Sequence, residues 1–377
     1  TSGLQSEGVI ATLKHFPGKG GAALDSHFGM PVINHDRARL DEVELVPFRS
    51  GIEANAGLVM TGHFAIPGIT EADDLPSTLS TAVLTGLLRK ELGYQGAVIT
   101  DAFDMGAISQ GYGQIIDAIA AIRAGVDLLL LKDTLDGQDR LERALELAVK
   151  RGLIDPDRIT SAQAATRRLR STVAGRQPPG LDVVSGPHHR ALAAEVAARS
   201  ITLVRNDQNL LPIRLDSGAR IAAIMPSPRD LTPADTSSYV RPGLAMALRA
   251  HHDAVDEFVV GHPPTNGEVA DLTAHAARYD LLVIGTISAS MDPAQADLVA
   301  RLIETGIPAI TVSLRTPYDI TAYPATLTHI CTYSILEPST TALAAALFGR
   351  SPFTGKLPVR VSDRFPAGHG IDFGDEI

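Results

Sequence analysis

Three polar segments near the start of the chain carry the residue types of an acid/base catalyst. Lys14 and His15 are adjacent, the triplet Asp25-Ser26-His27 follows after a short loop, and Asp101 comes directly after an apolar run. A carboxylate beside a histidine orients the imidazole and stabilises its charged form, and the histidine can then exchange a proton near neutral pH. A separate carboxylate can act as a nucleophile. The segments therefore indicate acid/base chemistry beside a nucleophile.

The apolar pattern up to about residue 175 predicts the elements that position these side chains. Short apolar runs alternate with helical patterns, and the runs cover 9–13, 57–61, 96–100 and 126–131. Continuous apolar strands separated by helices are typical of a parallel sheet covered on both faces. Between two of them, 80–93 predicts a helix with its leucines on one face, Ser80 as N-cap and Gly93 as its end. Functional side chains in such sheets gather at the carboxyl ends of the strands. Lys14, His15, His63 and Asp101 all fall at or near predicted strand ends.

A linker and a second α/β layer follow. The Pro/Gly-rich stretch 174–180 breaks the helical pattern near Val173, and we bound the linker at 174–186. A helix near 188–200 then precedes five apolar runs, with a helical stretch at 294–304, which predicts an open doubly wound sheet; the runs are 201–204, 221–225, 257–260, 281–285 and 310–314. No Gly-x-Gly-x-x-Gly or Walker sequence opens a helix, which argues against a nucleotide site.

Composition excludes several classes of function. The chain has 377 residues and a formal net charge of −10, without a dense Lys/Arg cluster, so nucleic acid is not an expected partner. No apolar run is long enough for a membrane-spanning helix. The single cysteine, Cys331, lies in an apolar run and is predicted to be buried. The adjacent pairs His188-His189 and His251-His252 are interpreted as solvated surface, and no metal or organic cofactor is implied.

The polar segments resemble those of glycoside hydrolase family 3. The likeness is carried by Lys14-His15-Phe16-Pro17-Gly18, Asp25-Ser26-His27 and Thr100-Asp101-Ala102-Phe103-Asp104-Met105, with further similar segments at 44–48, 74–80, 124–129 and 348–359. The Asp-x-His triplet is similar to the β-N-acetylglucosaminidase branch rather than to the β-glucosidases. Two-domain relatives with this layout are commonly exported or bound at the cell surface.

The resemblance implies a role for each residue. Asp101 would be the nucleophile that attacks the anomeric carbon, and His27 the general acid/base, with Asp25 orienting its ring. Lys14 and His15 would hydrogen-bond sugar hydroxyls, and His63 would also line the pocket. Asp104 is interpreted as structural. The implied activity is that of a retaining exo-β-N-acetylglucosaminidase acting on murein fragments, chitooligosaccharides or similar glycosides.

The resemblance also implies an α/β catalytic barrel, and this sequence accounts for part of it. A closed (β/α)₈ barrel needs eight strands, whereas four strand–helix units precede the linker. Residues 1–173 are therefore expected to be the C-terminal half of a TIM-type barrel, and 187–377 an α/β sandwich domain. A four-stranded sheet cut from a barrel leaves two open edges. We expect a preceding segment or another chain to supply the missing half.

One loop departs from the family pattern. After the proline the family has a Gly-His-Gly-Asp-Thr run, whereas this chain has Gly18-Lys19-Gly20-Gly21-Ala22 with unchanged spacing to Asp25 and His27. The dyad can therefore still reach the sugar. Lys19 is interpreted either as a contact to an anionic aglycone or as a solvated loop lysine.

Two other functions remain open at this stage. One is a family 3 β-glucosidase or glycoside phosphorylase; the former generally draws a glutamate acid/base from the second domain and carries Ser-Asp-Trp at the nucleophile, whereas this chain has no tryptophan. A histidine acid/base, unlike a carboxylate, does not repel an incoming phosphate. The other is a catalytically silent carbohydrate-binding protein.

Overall fold

A computed structural model of the chain describes residues 1–22, 26, 29–70, 72–132, 134–232 and 234–374. It divides into two compact units, Thr1–Pro178 and Pro179–Ile377, and the boundary falls within the segment 174–186. Each unit contains its own sheet of largely parallel strands. The architecture is therefore α/β, as the apolar pattern predicts.

The first unit is built on four parallel strands. Their order across the sheet is β1-β2-β3-β4, so neighbours in sequence are neighbours in the sheet. The strands are β1 (Thr12–Phe16), β2 (Leu58–Thr61), β3 (Ala97–Ala102) and β4 (Leu128–Leu130). Strand β1 begins later than predicted, so Lys14 and His15 lie inside it rather than at its close. The described strands form an open sheet, with β1 and β4 as its edges.

Helices flank and connect these strands. They are α1 (Ser2–Ser6), α2 (Val46–Glu53), α3 (Ala82–Glu91), α4 (Tyr112–Ala124), α5 (Leu135–Lys150) and α6 (Pro156–Val173). The predicted helix at 80–93 corresponds to α3. Ser80 accepts a hydrogen bond from the Val83 amide at 3.3 Å, and Gly93 has a positive φ of 69° just beyond the helix. The buried face of α3 consists of Val83, Leu84, Leu87 and Leu88. The face is largely as predicted, whereas the helix is shorter at both ends, its N-cap is Thr81, and Leu92 lies just beyond it.

The second unit begins with α7 (Pro187–Ser200) and contains six strands. The strands are β5 (Thr202–Asn206), β6 (Ile221–Pro226), β7 (Val255–Val260), β8 (Leu281–Thr286), β9 (Ala309–Ser313) and β10 (Thr328–Cys331). Their order is β5-β10-β9-β8-β6-β7, with only the β5–β10 pair antiparallel. The connecting helices are α8 (Leu244–Arg249), α9 (Asn266–His275), α10 (Pro293–Glu304) and α11 (Glu337–Leu347).

The central strands of this sheet are buried on both faces. In β6, Ile221 and Ala223 belong to one hydrophobic cluster, whereas Ala222 and Ile224 belong to another. Successive side chains of a strand point to opposite faces. One cluster includes residues of α7, α8 and α11, and the other includes residues of α9 and α10. Helices therefore cover each face.

Two side-chain predictions for the second unit have different outcomes. Cys331 is fully buried, as predicted. The prediction that His251 and His252 form solvated surface holds only in part: both are partly exposed, and both rings stack on Phe348 with centroid distances of 5.3 and 6.5 Å. His252 Nε2 also lies 2.6 Å from the Ala219 carbonyl oxygen. Such contacts to a residue just beyond α11 are not visible in the sequence.

Among the residues that the structure describes, no helix is both long and apolar enough to cross a bilayer.

Candidate active site

The carboxylate of Asp101 and the ring of His15 meet at one end of the first sheet. Asp101 Oδ2 lies 3.3 Å from His15 Nε2, and Asp101 Oδ1 accepts a hydrogen bond from the Ala102 amide at 2.9 Å. The two side chains are 18% and 26% exposed, so both remain accessible. Strand β2 separates β1 from β3, and the parallel arrangement nevertheless brings these residues to the same edge. Sequence reasoning placed both side chains in one site, and the structure places them in contact.

The other predicted site residues are distributed differently. Lys14 precedes His15 on β1 and is exposed. Asp25 and His27 lie outside the residues that the structure describes, so the predicted dyad is not part of the described geometry. Ser26, the residue between them in the sequence, is described and is 2% exposed.

His63 is fully buried behind Asp101. Its Nδ1 lies 2.8 Å from Thr78 Oγ1, and its Nε2 lies 3.2 Å from the carbonyl oxygen of Ala102, the residue after Asp101. Burial lowers the pKa of His63, which favours the neutral ring. A carbonyl can only accept, so we assign a proton to Nε2. Thr78 Oγ1 also lies 3.1 Å from the Gly62 carbonyl oxygen, so its one hydroxyl proton faces both that oxygen and His63 Nδ1. A sugar could contact His63 directly only by displacing one of these partners.

Sequence reasoning missed two threonines that complete this network. Thr61 ends β2, and its Oγ1 lies 2.8 Å from Thr78 Oγ1. Both hydroxyls are fully buried. The sequence signal was the cluster of small polar residues in 74–80, which drew attention only through its likeness to family 3. Together with His63 and its edge-on contact to Phe103, at 5.7 Å between centroids, these residues support the end of β3.

Asp104 has a different environment from Asp101. Its carboxylate lies 3.2 Å from Lys132 Nζ, and both side chains are more than a third exposed. An exposed ion pair of this kind contributes little to stability. Within the described part of the chain, no three His, Cys, Asp or Glu side chains are grouped as metal ligands would be.

The loop after β1 packs on Glu44 and His35, which precede α2 in the chain. Lys19 Nζ donates a hydrogen bond of 2.8 Å to Ser26 Oγ. Beneath the loop lie Glu44, which is 7% exposed, and His35, whose Nε2 is 4.0 Å from Glu44 Oε1. His35 was not singled out in the sequence, and Glu44 drew attention only as part of the segment 44–48 that is similar to family 3.

A carboxylate and a histidine at the strand ends of a parallel sheet define a class of α/β enzyme that works by nucleophilic and acid/base chemistry. Residues 1–170 match the description "Glycosyl hydrolase family 3 N terminal domain". The chain is 33% identical to a glycoside hydrolase family 3 β-N-acetylglucosaminidase structure from Paenibacillus sp. str. FPU-7, with a TM-score of 0.87. That similarity covers 96% of this chain and 69% of the other. The chain therefore belongs to glycoside hydrolase family 3.

Two characterised relatives are similar over nearly the whole chain. β-Hexosaminidase A from Pseudoalteromonas piscicida is 28% identical over 95% of this chain and 67% of its own length. A β-N-acetylglucosaminidase/β-glucosidase from Cellulomonas fimi is 28% identical over 94% of this chain and 67% of its own length. The resemblance seen in the sequence motifs is thus confirmed at the level of the family and extends through the second unit.

Proposed function

We propose that this protein is a retaining exo-β-N-acetylhexosaminidase that removes terminal non-reducing N-acetylglucosamine from murein fragments, chitooligosaccharides or similar glycosides. The observation that carries the proposal is the accessible Asp101 carboxylate at the end of β3, 3.3 Å from His15. It stands in a family 3 chain whose relatives include a β-hexosaminidase and a β-N-acetylglucosaminidase.

The reaction proceeds in two displacements. In the first, an Asp101 oxygen bonds to the anomeric carbon, the bond to the leaving oxygen breaks, and the His27 imidazolium gives that oxygen its proton. In the second, water bonds to the anomeric carbon, gives its proton to His27, and releases Asp101. Two inversions yield net retention. Asp25 stabilises the charged imidazole of His27.

The remaining predicted residues bind the sugar around that reaction. Lys14 and His15 donate hydrogen bonds to its hydroxyls from β1, and His15 borders the attacking carboxylate. His63 supports the floor of the pocket, since it bonds to the carbonyl of the residue that follows Asp101. Fixed donors of this kind suit a neutral polyol.

We further propose that the first unit is the C-terminal half of a closed (β/α)₈ barrel and that residues 187–377 form its sandwich domain. In the described sheet, β1 and β4 each have a neighbour on one side only. Leu130 on β4 is 37% exposed, and Tyr112 and Ile116, one turn apart on α4, are 86% and 69% exposed. Open edges and exposed apolar side chains favour cover by further protein, whether a preceding segment or another chain.

The proposal is tested by release of p-nitrophenol from its β-N-acetylglucosaminide and its β-glucoside. The chain should be measured alone and joined to the other barrel half, with Asp101→Ala in each form. We expect turnover of the acetamido sugar by the completed barrel and a loss of at least about a thousandfold in the variant. Proton NMR of the first product should show the β anomer. An α anomer formed first would contradict the double displacement.

Two further measurements distinguish this proposal from a glycoside phosphorylase and from a carbohydrate-binding protein without activity. Inorganic phosphate in the assay would yield a sugar 1-phosphate if the protein were a phosphorylase. A completed barrel that binds N-acetylglucosamine but turns over neither glycoside would instead be a carbohydrate-binding protein.

A further inference from the structure

The loop after β1 is tied back to the serine of the Asp-x-His triplet. Lys19 has donors but no acceptor, so its ammonium group gives the 2.8 Å hydrogen bond and Ser26 Oγ accepts it. Ser26 is 2% exposed. The Ala22 amide bonds to the Lys19 carbonyl at 2.9 Å and closes a turn. The lysine that departs from the family pattern thus contacts the residue that joins Asp25 to His27 in the chain.

This loop rests on Glu44 and His35 with no room for side chains at two glycines. A Cβ on Gly18, whose φ is 128°, would lie 2.6 Å from Glu44 Cβ. A Cβ on Gly21 would overlap His35 Nε2. By contrast, a Cβ on Gly20 would meet nothing within 4 Å. The backbone is therefore in direct contact with the Glu44 and His35 side chains at Gly18 and Gly21, and not at Gly20.

The polar atoms under the loop are buried without hydrogen bonds. Neither Glu44 Oε2 nor His35 Nε2 has a hydrogen-bond partner among the described residues, and both atoms are closed to solvent. Within the described ranges, the basic side chains within 4.0 Å of the Glu44 carboxylate are His35, whose Nε2 is 4.0 Å from Oε1, and Arg39, whose Nε is 3.5 Å from Oε2. A buried carboxylate oxygen without a hydrogen bond is costly. Packing alone would be better served by an apolar residue, so this arrangement points to a role for the loop above it.

We propose that Lys19, His35 and Glu44 are positioning residues, which together form a seat for residues 18–22 and Ser26 so that His27 meets the leaving oxygen. This inference rests on the proposed function, in which His27 is the general acid. Lys19 acts from within the loop through Ser26, and His35 with Glu44 acts from below through Gly21 and Gly18.

If these residues position the general acid His27, their substitution should slow only those substrates whose leaving group needs a proton from it. Departure of 2,4-dinitrophenolate from its β-N-acetylglucosaminide needs little proton donation, whereas departure of phenolate needs it fully. For Lys19→Met in the completed barrel, we expect kcat/KM for the phenyl glycoside to fall at least about tenfold. For the dinitrophenyl glycoside it should change less than about twofold. Lys19→Arg, which keeps the donor and the charge, should restore most of the phenyl activity.

Matched variants separate positioning from general damage. Lys90→Met removes an exposed lysine on α3 and should leave kcat/KM unchanged for both glycosides. Gly21→Ala should reproduce the selective loss, because its Cβ displaces the loop from His35, and Gly20→Ala should not. An equal loss on both glycosides in Lys19→Met and Gly21→Ala would overturn the inference in favour of a merely structural loop.

A second measurement does not depend on catalysis. Amide hydrogen exchange of the wild-type chain and Lys19→Met, followed by mass spectrometry, should show at least about fivefold faster exchange in the variant for peptides covering 18–30 and no change in α4. Equal exchange there would overturn the inference. If the wild type lacks glycosidase activity, the proposed function fails, while the exchange result still decides whether Lys19 holds this segment.

Discussion

At the scale of single residues, Thr78 is the hydroxyl on which the support of Asp101 converges. Its Oγ1 lies 2.8 Å from both His63 Nδ1 and Thr61 Oγ1, with no exposure to solvent. Thr78→Val keeps the shape and removes the hydrogen-bond partner of His63 Nδ1. We expect a loss of about 1–3 kcal/mol in the free energy of unfolding, measured by urea denaturation of the chain.

Thr81→Val provides the control for that change. Thr81 is exposed at the start of α3, so the same substitution there should change the free energy of unfolding by less than about 0.5 kcal/mol. Equal effects at the two positions would mean that the His63 network does not hold the end of β3.

Residue types and strand ends alone were enough to place Asp101 and His15 in one site. They were not enough for Thr78 or Glu44. Those two side chains have no chemical signature of their own; they matter because folding brings them against His63 and Gly18, and such partners are defined only by tertiary contact. His63 was ambiguous in the sequence for the same reason.

At the scale of elements, the two-sided burial of the second sheet predicts unequal costs for the same substitution. Val283, in the central strand β8, is fully buried, whereas Val259, in the edge strand β7, is 44% exposed. Val283→Ala should lower the free energy of unfolding by about 2 kcal/mol, because the neighbouring helices and strands cannot fill the space completely. Val259→Ala should cost less than about 0.5 kcal/mol. Thermal and urea denaturation of the two variants would compare them directly.

Continuous apolar runs predicted most of the strands because those strands are covered on both faces. Strand β10 escaped prediction because its second residue is His329, which interrupts the pattern. The structure makes this histidine tolerable by hydrogen bonds to Thr311 Oγ1 at 2.8 Å and Ser313 Oγ at 3.0 Å. At β1 the error had the opposite origin: Val9 reads as a strand residue but is 54% exposed and lies before the strand.

At the scale of the whole molecule, the two units should differ in their ability to fold alone. The six-stranded sheet has its own core on each face, whereas in the first unit Leu130 of the edge strand β4 and Tyr112 and Ile116 of α4 are exposed. We expect a fragment of residues 179–377 to show a cooperative thermal transition by circular dichroism. We expect 1–178 alone to aggregate or to lack such a transition. A stable, monomeric 1–178 would contradict the half-barrel proposal.

The second unit should also lose stability in acid through His329. Burial lowers the pKa of this ring to about 3, from an unfolded value of 6.5. Between these values the unfolded chain binds a proton that the folded one cannot, so the free energy of unfolding falls as pH drops below about 6.5. The slope from this one group is about 1.4 kcal/mol per pH unit.

His329→Asn should flatten that slope in urea titrations at several pH values. Burial raises the pKa of Asp319, which gives the opposite slope, but this contribution is common to both proteins and cancels in their difference. Replacement of the exposed His189 by Asn should leave the slope unchanged. A parallel fall in wild type and His329→Asn would show that another group carries the acid sensitivity.

The burial of Cys331 has a practical consequence. It is the chain's one cysteine, it is fully buried in β10, and burial raises its pKa to about 12. A maleimide therefore cannot modify it until the second sheet opens, so the labelling rate under native conditions measures that opening. A fluorophore placed on a new surface cysteine would, for the same reason, report on one position only.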